Sequence, residues 1–511
     1  MTTASSTKSL LKSYLDAHGG DYDSGAAATY ASLDHVAKTS PKIAKAIIQE
    51  YRDQRSHLKL IASENYCSLA TQLAHGNLLT DKYAEGYPGH RFYAGCENVD
   101  TVESEAAQLA CQLFGADHAF VQPHSGADAN LVAFLSVLSA KIEAPILAEM
   151  DITDPTTATR EQWARVREAM HNQRLLGLDL YSGGHLTHGF RRNVSAQIFE
   201  SHTYSVDRNT GLLDLSQIRQ QAKEVRPLIL LAGYSAYPRK INFAQMREIA
   251  DEVGAVLMVD MAHFAGLVAG KVFTGDYDPV AHAQIVTTTT HKTLRGPRGG
   301  VVLCKSELAE WVDRGCPMVL GGPLPHAIAA KAVAFREALR PEFRTYAQKI
   351  VENAQALAAE CIALGMKVPT GGTDNHLLLI DVHESFGLTG RQAEPVLREC
   401  GVTLNRNSLP FDPNGTWYTS GLRLGTPAVT TLGMGTPEMK EIAGIMKTVL
   451  AGTSATVVTK GEKKGEISRT RYKIDPAAAD EARQRVADLL KPFVLYPELD
   501  LGMLSEFAEG L

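Results

Sequence analysis

Between residues 227 and 305 short apolar runs alternate with amphipathic ones. "PLILLAG" (227–233) reads as a buried strand. In "NFAQMREIADEVG" (242–254), Phe243, Met246, Ile249, Ala250 and Val253 share one helical face, and Gly254 sits where a helix-ending glycine would. "AVLMVDMAH" (255–263), "QIVTTTTHK" (284–292) and "GGVVLCK" (299–305) follow as further strands, the second rich in β-branched threonine. Apolar strands alternating with helices imply an α/β fold with a mostly parallel sheet covered on both faces. In such sheets functional groups gather at the carboxyl ends of strands, where Asp260, His263 and Lys292 fall.

Outside this stretch the pattern changes. The first 40 residues are rich in Ser, Ala and Gly, and helical periodicity starts at Pro41. A long helical pattern runs from Pro325 to Gly365, and "NHLLLIDVH" (375–383), "VTLNRN" (402–407) and "SGLRLGT" (420–426) read as strands of a smaller α+β domain. A tail helix should start at Asp475-Pro476 and stop at Pro492. The expected division is an N-terminal arm (1–55), a large domain (56–340), a small domain (341–453) and a C-terminal extension (454–511). The stretch at about 140–175 carries its own helix signals. Thr159 and Gln162 form a capping-box pattern, and Trp163, Val166 and Met170 share a face.

Composition narrows the classes. A chain of 511 residues exceeds one simple core, and 44% hydrophobic with 21% charged residues is ordinary globular usage. A formal net charge of -6 gives no reason to expect nucleic acid as a partner. No apolar run is expected to reach the length of a membrane span, so no membrane partner is expected. The opening residues lack a secretory core and carry three aspartates and no arginine before residue 26, unlike a transit peptide. Seven scattered cysteines without a CxxC pair fit reduced thiols and a cytoplasmic location.

The chemistry centres on Lys292. A lysine at a strand end is ordinarily a surface residue; a desolvated one loses its proton more easily and can attack a carbonyl. Pyridoxal phosphate is the commonest carbonyl cofactor held this way, and it needs an anion site, a carboxylate at its ring nitrogen and a flat group over the ring. "HAFVQPHSGADANLVAFL" (118–135) reads as strand, turn and helix, with Ser125 and Gly126 at the helix start, where free N–H groups favour phosphate. An Asp260 carboxylate could keep the ring nitrogen protonated or merely cap the next element; His263 could reach the phenolic oxygen, and His185 in "GGHLTHG" (183–189) could stack on the ring.

These and further motifs, "KYAEGYPGHRFYAG" (82–95), "VQPHSGADAN" (121–130), "VDMAHFAG" (259–266), "VTTTTHKTLRGPRGG" (286–300) and "SGLRLGTPAVT" (420–430), closely resemble the serine hydroxymethyltransferase family over most of residues 42–450. The resemblance implies the fold type I architecture of pyridoxal phosphate enzymes. It implies reversible transfer of the serine hydroxymethyl group to tetrahydrofolate, giving glycine and methylenetetrahydrofolate. Carried over, Lys292 holds the cofactor covalently, His185 stacks on it, Asp260 meets its ring nitrogen and His263 its phenolic oxygen. Ser125, Gly126 and Ala127 hold the phosphate, Ser235 contacts the cofactor, and Arg423 binds the substrate carboxylate, a pairing that suits a guanidinium. Glu85 acts near the serine hydroxyl and folate, with Tyr83 and Tyr93 beside it. Ser63 lies by the substrate, and Leu186 and Asn407 by the folate. In the family the Tyr83–Tyr93 stretch and the Gly321-Gly322-Pro323 turn reach into a neighbouring subunit's site, which implies a homodimer with shared active sites.

Three departures stand out: Phe92 where relatives carry a second tyrosine, "CPMVLGGPLPH" (316–326) around the glycine pair, and the insertion of about thirty residues, which could crowd the folate entrance or decorate a surface. Rival readings are a folate-independent aldolase or racemase on the same scaffold, a catalytically dead binding protein, and a metal hydrolase using His185, His188, Asp260, His263 and His291. No spacing fixes a third ligand for that last reading, and no metal is expected.

Overall fold

A computed structural model describes residues 9–462 and 464–511; the first eight residues of the expected arm lie outside them. Its centre is a seven-stranded sheet in the order His118–Phe120, Gly300–Cys304, Ile285–Thr289, Val256–Asp260, Ile229–Gly233, Arg174–Leu178, Glu200–Tyr204. Side chains alternate between two cores: Leu257 and Val259 pack on one face, Val256 and Met258 on the other. Both faces are covered by helices, which is why the strands read as continuous apolar runs. The helix Phe243–Val253 is capped by Asn242, whose side chain accepts from Gln245 N–H, and Gly254 closes it at φ 71°.

One strand breaks the parallel pattern. Gly300–Cys304 runs antiparallel to both neighbours, pairing Gly300 with Thr289 and Val302 with Phe120. The connection from Thr289 to Gly300 holds no helix, so it returns as a hairpin rather than crossing over. Lys292 sits in that return.

The helical run Gly126–Glu149 corrects one expectation: by length and composition it is long and apolar enough to cross a membrane. In this fold it backs the sheet, with Ala129, Val132, Ala133, Phe134 and Val137 buried. It starts at the strand carboxyl ends and extends roughly 36 Å at 1.5 Å per residue. Residues 140–175 therefore follow at the amino ends of the strands, and none of them lines the cavity at Lys292. There Thr159 N–H donates to Gln162 Oε1 at 2.9 Å, Gln162 N–H donates to Thr159 Oγ1 at 3.3 Å, and Val166 is buried under the helix Arg160–His171.

The helical pattern from Pro325 is two helices, Pro325–Ala338 and Pro341–Ala363, because Pro341 has no N–H to continue the first and suits the start of the second. A second core surrounds a three-stranded antiparallel sheet, ordered Leu377–Asp381, Gly421–Gly425, Asn405–Asn407. The helix Pro476–Leu490 packs Val486 into this core. The Ser/Ala/Gly-rich start forms helices Leu10–His18 and Ser24–Thr39, which with Pro41–Ser56 pack on the last helix, Leu501–Glu509. Tail elements that periodicity did not reveal are this last helix and the hairpin Thr453–Val457 with Ile467–Ile474.

Candidate active site

The loop after Ile285–Thr289 is fixed from three sides. Asn65 Nδ2 donates to the Lys292 carbonyl at 2.8 Å. Thr293 Oγ1 donates to His263 O and accepts from Gly266 N–H, both at 2.9 Å. The four preceding threonines do more than favour extended backbone. Thr287 donates to Asn130 Oδ1, Thr288 to Thr289 O, Thr289 to Ala262 O, and Thr290 to Pro297 O, so each buried hydroxyl is satisfied.

Lys292 opens into a cavity of about 470 Å³ lined also by Ser63, Ser125, Gly126, Ala127, His185, Leu186, Ser235, Asp260, His263, Asn407 and Arg423. Burial pushes the Lys292 ammonium down to about 8, against the pull of Asp260, with Arg423 and Arg298 adding to the depression. The amine is thus much closer to its nucleophilic form than a surface lysine.

Burial pushes the Asp260 carboxyl up, but its partners win and hold it below the usual carboxylate range. His188 Nε2 lies 3.2 Å from Asp260 Oδ2, Asn130 Nδ2 donates to Oδ2 at 2.9 Å, and Ala262 N–H donates to Oδ1 at 3.0 Å. His185 is brought down to about 4, chiefly by burial, and is therefore a neutral ring. Its Nδ1 accepts from Thr187 N–H at 3.3 Å and meets Thr187 Oγ1 at 2.7 Å, which fixes the ring plane. His263 is fully buried, lowered well below the usual range by desolvation, and stacked on His376 with Nδ1 to Nε2 at 3.2 Å.

Ser125 caps the helix Gly126–Leu138, its side chain accepting from Asp128 N–H. A Cβ at residue 126 would come within 2.8 Å of Thr289 Cγ2, so only glycine allows the helix start this close to the lysine strand. Arg423 stands on the small sheet, where Nη1 donates to Ser235 O at 2.7 Å and Nε to Asn405 Oδ1 at 3.1 Å. Those acceptors are neutral, and burial lowers the guanidinium to about 10. Such a half-buried, largely desolvated cation is poised for an external carboxylate. A neutral-prone lysine, an ionised acid, a flat neutral histidine and a free helix start fit pyridoxal phosphate in one cavity.

The remaining predicted residues lie elsewhere on the same chain. Tyr83, Glu85, Tyr93, Gly321 and Gly322 are absent from the cavity wall and form a second cluster. Tyr83 and Tyr93 stack edge-on at 4.9 Å, and a Cβ at residue 322 would strike the Tyr83 ring at 2.8 Å. Cys316 ties the cluster together, its Sγ accepting from Gly86 N–H and donating to Gly321 O, both at 3.3 Å. The surface there is apolar: Met318 is 73% exposed, Phe92 68% and Tyr83 53%.

The geometry also weighs the metal reading. His185, His188 and Asp260 present ligand atoms within 4.8 Å of one another. But His188 Nδ1 accepts from His185 N–H at 3.3 Å, so Nε2 carries the proton and donates to Asp260. Both nitrogens are committed. Residues that sequence reasoning missed are Asn130, Thr187, His376 and Arg298, along with the role of His188 as the support of Asp260. Asn130 lies four residues past Gly126, on the same helix face, and that spacing could have revealed it.

The family model for serine hydroxymethyltransferase matches residues 36–159 and 161–446. The chain belongs to the serine hydroxymethyltransferase family. Proteins of that name from Treponema pallidum (62% identical over 493 residues, 96% of this chain and 85% of the relative) and Salinispora tropica (58% over 472 residues, 92% and 98%) are similar to it. So is one from Mycolicibacterium smegmatis, 54% identical over 486 residues, covering 95% of this chain and 97% of the relative. The fold is the type I pyridoxal phosphate architecture. The enzyme is a pyridoxal phosphate-dependent transferase that moves the serine hydroxymethyl group to its co-substrate tetrahydrofolate.

Proposed function

We propose that the hydroxymethyl transfer runs in the Lys292 cavity with the residues assigned as follows. Lys292 holds the cofactor through its amine, Ser125, Gly126 and Ala127 hold its phosphate, and Ser235 and His263 flank it. When bound, pyridoxal phosphate supplies an electron sink for the pair released at Cα as the Cα–Cβ bond of serine breaks. Asp260, kept ionised by His188 and Asn130, holds a proton on the ring nitrogen. His185, its plane set by Thr187, would stack on the ring. Arg423 grips the serine carboxylate, with Ser63 beside it, so that the breaking bond is aligned and water is kept out. Leu186 and Asn407 face the folate; Asn407 also lines an adjoining cleft of about 280 Å³.

Glu85 exchanges a proton with the serine hydroxyl. In this reading Glu85, Tyr83, Tyr93, Gly321 and Gly322 come from a second copy, and the working unit is a homodimer in which each site is shared. Supporting this, the cluster that holds them is exposed and apolar rather than turned toward its own cavity. The reading extends to a cytoplasmic enzyme acting on small molecules, with no nucleic acid or membrane partner; all seven cysteines are free thiols.

The observation that carries the assignment is Arg423, a half-buried cation with only neutral acceptors among the described residues, lining the same cavity as Lys292. Serine consumption measured with and without tetrahydrofolate tests it. Turnover should need folate and vanish in Lys292→Ala; folate-independent turnover, or an active alanine variant, would refute it.

A further inference from the structure

Lys331 is buried, 2% exposed, on the helix Pro325–Ala338 and has no part in the chemistry above. A buried ammonium is costly unless its three N–H groups are used. All three are: Nζ donates to the carbonyl oxygens of Val121 at 2.6 Å, Pro123 at 2.9 Å and Gly300 at 3.0 Å. These partners are neutral. Glu103, an acid that acts on it, is already engaged by Arg91 at 2.6 Å and by Gln122 at 2.7 Å.

The three carbonyls belong to the two segments that build the cofactor site. Val121 and Pro123 lead directly into Ser125 and the helix start; Gly300 ends the loop that carries Lys292. Gly300 N–H also donates to Pro123 O at 2.9 Å, so the two segments meet at the lysine. We propose that Lys331 is a positioning residue for the phosphate cradle. It ties the 121–123 turn to Gly300, fixes the N–H groups of 125–127, and places beneath them a positive charge that favours a phosphate-bearing cofactor. Burial holds Lys331 down to about 7, with Glu103 and Asp128 pulling upward, and a dianion above the turn favours its charged form further.

The inference rests on the assignment of Ser125–Ala127 to the phosphate, and the experiment separates the two. Apoprotein is titrated with pyridoxal phosphate and with pyridoxal, which lacks the phosphate, following the absorbance of the covalent adduct. Wild-type protein should strongly prefer the phosphorylated form; no preference would overturn the cradle itself. In Lys331→Met the dissociation constant for pyridoxal phosphate should rise at least about tenfold, as for loss of a charge-assisted contact, while that for pyridoxal stays within about twofold. Lys331→Gln, which keeps donors without charge, should fall between. Equal weakening of both ligands, or no change in either, overturns the role of Lys331 while leaving the cradle intact. Failure of both variants to fold assigns the lysine to core stability and overturns it too.

Discussion

His188 donates Nε2–H to Asp260 Oδ2 across 3.2 Å, and its own Nδ1 accepts the His185 N–H. The histidine is thereby locked in one tautomer by the backbone of His185, and its proton is aimed at Asp260, the acid proposed above to serve the cofactor's ring nitrogen. Desolvation alone would neutralise that acid; the donors around it reverse the effect.

Replacing His188 should therefore weaken the electron sink rather than substrate binding. His188→Ala is expected to lower kcat roughly 10- to 150-fold, the equivalent of about 1.5–3 kcal/mol for a hydrogen bond to a charged group, with little change in KM for serine. Steady-state kinetics at saturating cofactor check this. An unchanged kcat would show that Asp260 does not depend on His188.

The depressed Lys292 ammonium sets a pH dependence. Only the neutral amine attacks the cofactor carbonyl, so its capture by apoprotein should accelerate as pH rises through about 8 and level off above. The negative charge of Asp260 favours the ammonium, so Asp260→Asn should shift the midpoint lower; Arg423 opposes it, so Arg423→Met should shift it higher. Stopped-flow absorbance across pH 6 to 10, about two units either side of that midpoint, reads both signs.

Among the described residues Arg423 pairs with no acid, and its fork geometry suits a carboxylate. Arg423→Lys keeps the charge but loses the bidentate grip. We expect kcat/KM for serine to fall roughly 10- to 150-fold, corresponding to about 1.5–3 kcal/mol, with cofactor affinity unchanged. Equal activity of the lysine variant would place the substrate carboxylate elsewhere.

Shared sites make a distinct prediction. Lys292→Ala and Glu85→Gln should each be inactive as homodimers. In a dimer of one of each, one site carries both changes and the other neither. Random co-refolding of equal amounts should therefore restore about a quarter of wild-type activity. No recovery, with mixed dimers confirmed by mass spectrometry, would mean that Glu85 serves its own chain's cavity.

Much of this was written in local pattern. The helix Phe243–Val253, its glycine stop and the capping box at Thr159 follow from residues a few positions apart. So does Lys292 at a strand end, because strand propensity and turn chemistry are neighbour effects. The antiparallel return of Gly300–Cys304 was less legible, since an apolar run reads alike in either direction. The terminal helices were missed for a different reason: the small-residue face of Ser24–Thr39 is stabilised by Leu499, Leu504 and Phe507, far away in the chain.

The sequence by itself determined which central segments become strands and helices, where the lysine stands and which family pattern it belongs to; these depend on spacing along one chain. The tertiary structure alone decided the environments: Asn65 holding the carbonyl of a residue 227 positions away, His188 beneath Asp260, Arg423 without an acid, and the Tyr83–Glu85–Gly322 cluster standing apart from its own cavity. Proton affinity and hydrogen-bond partnership are set by what surrounds a group in space, and no periodicity encodes that.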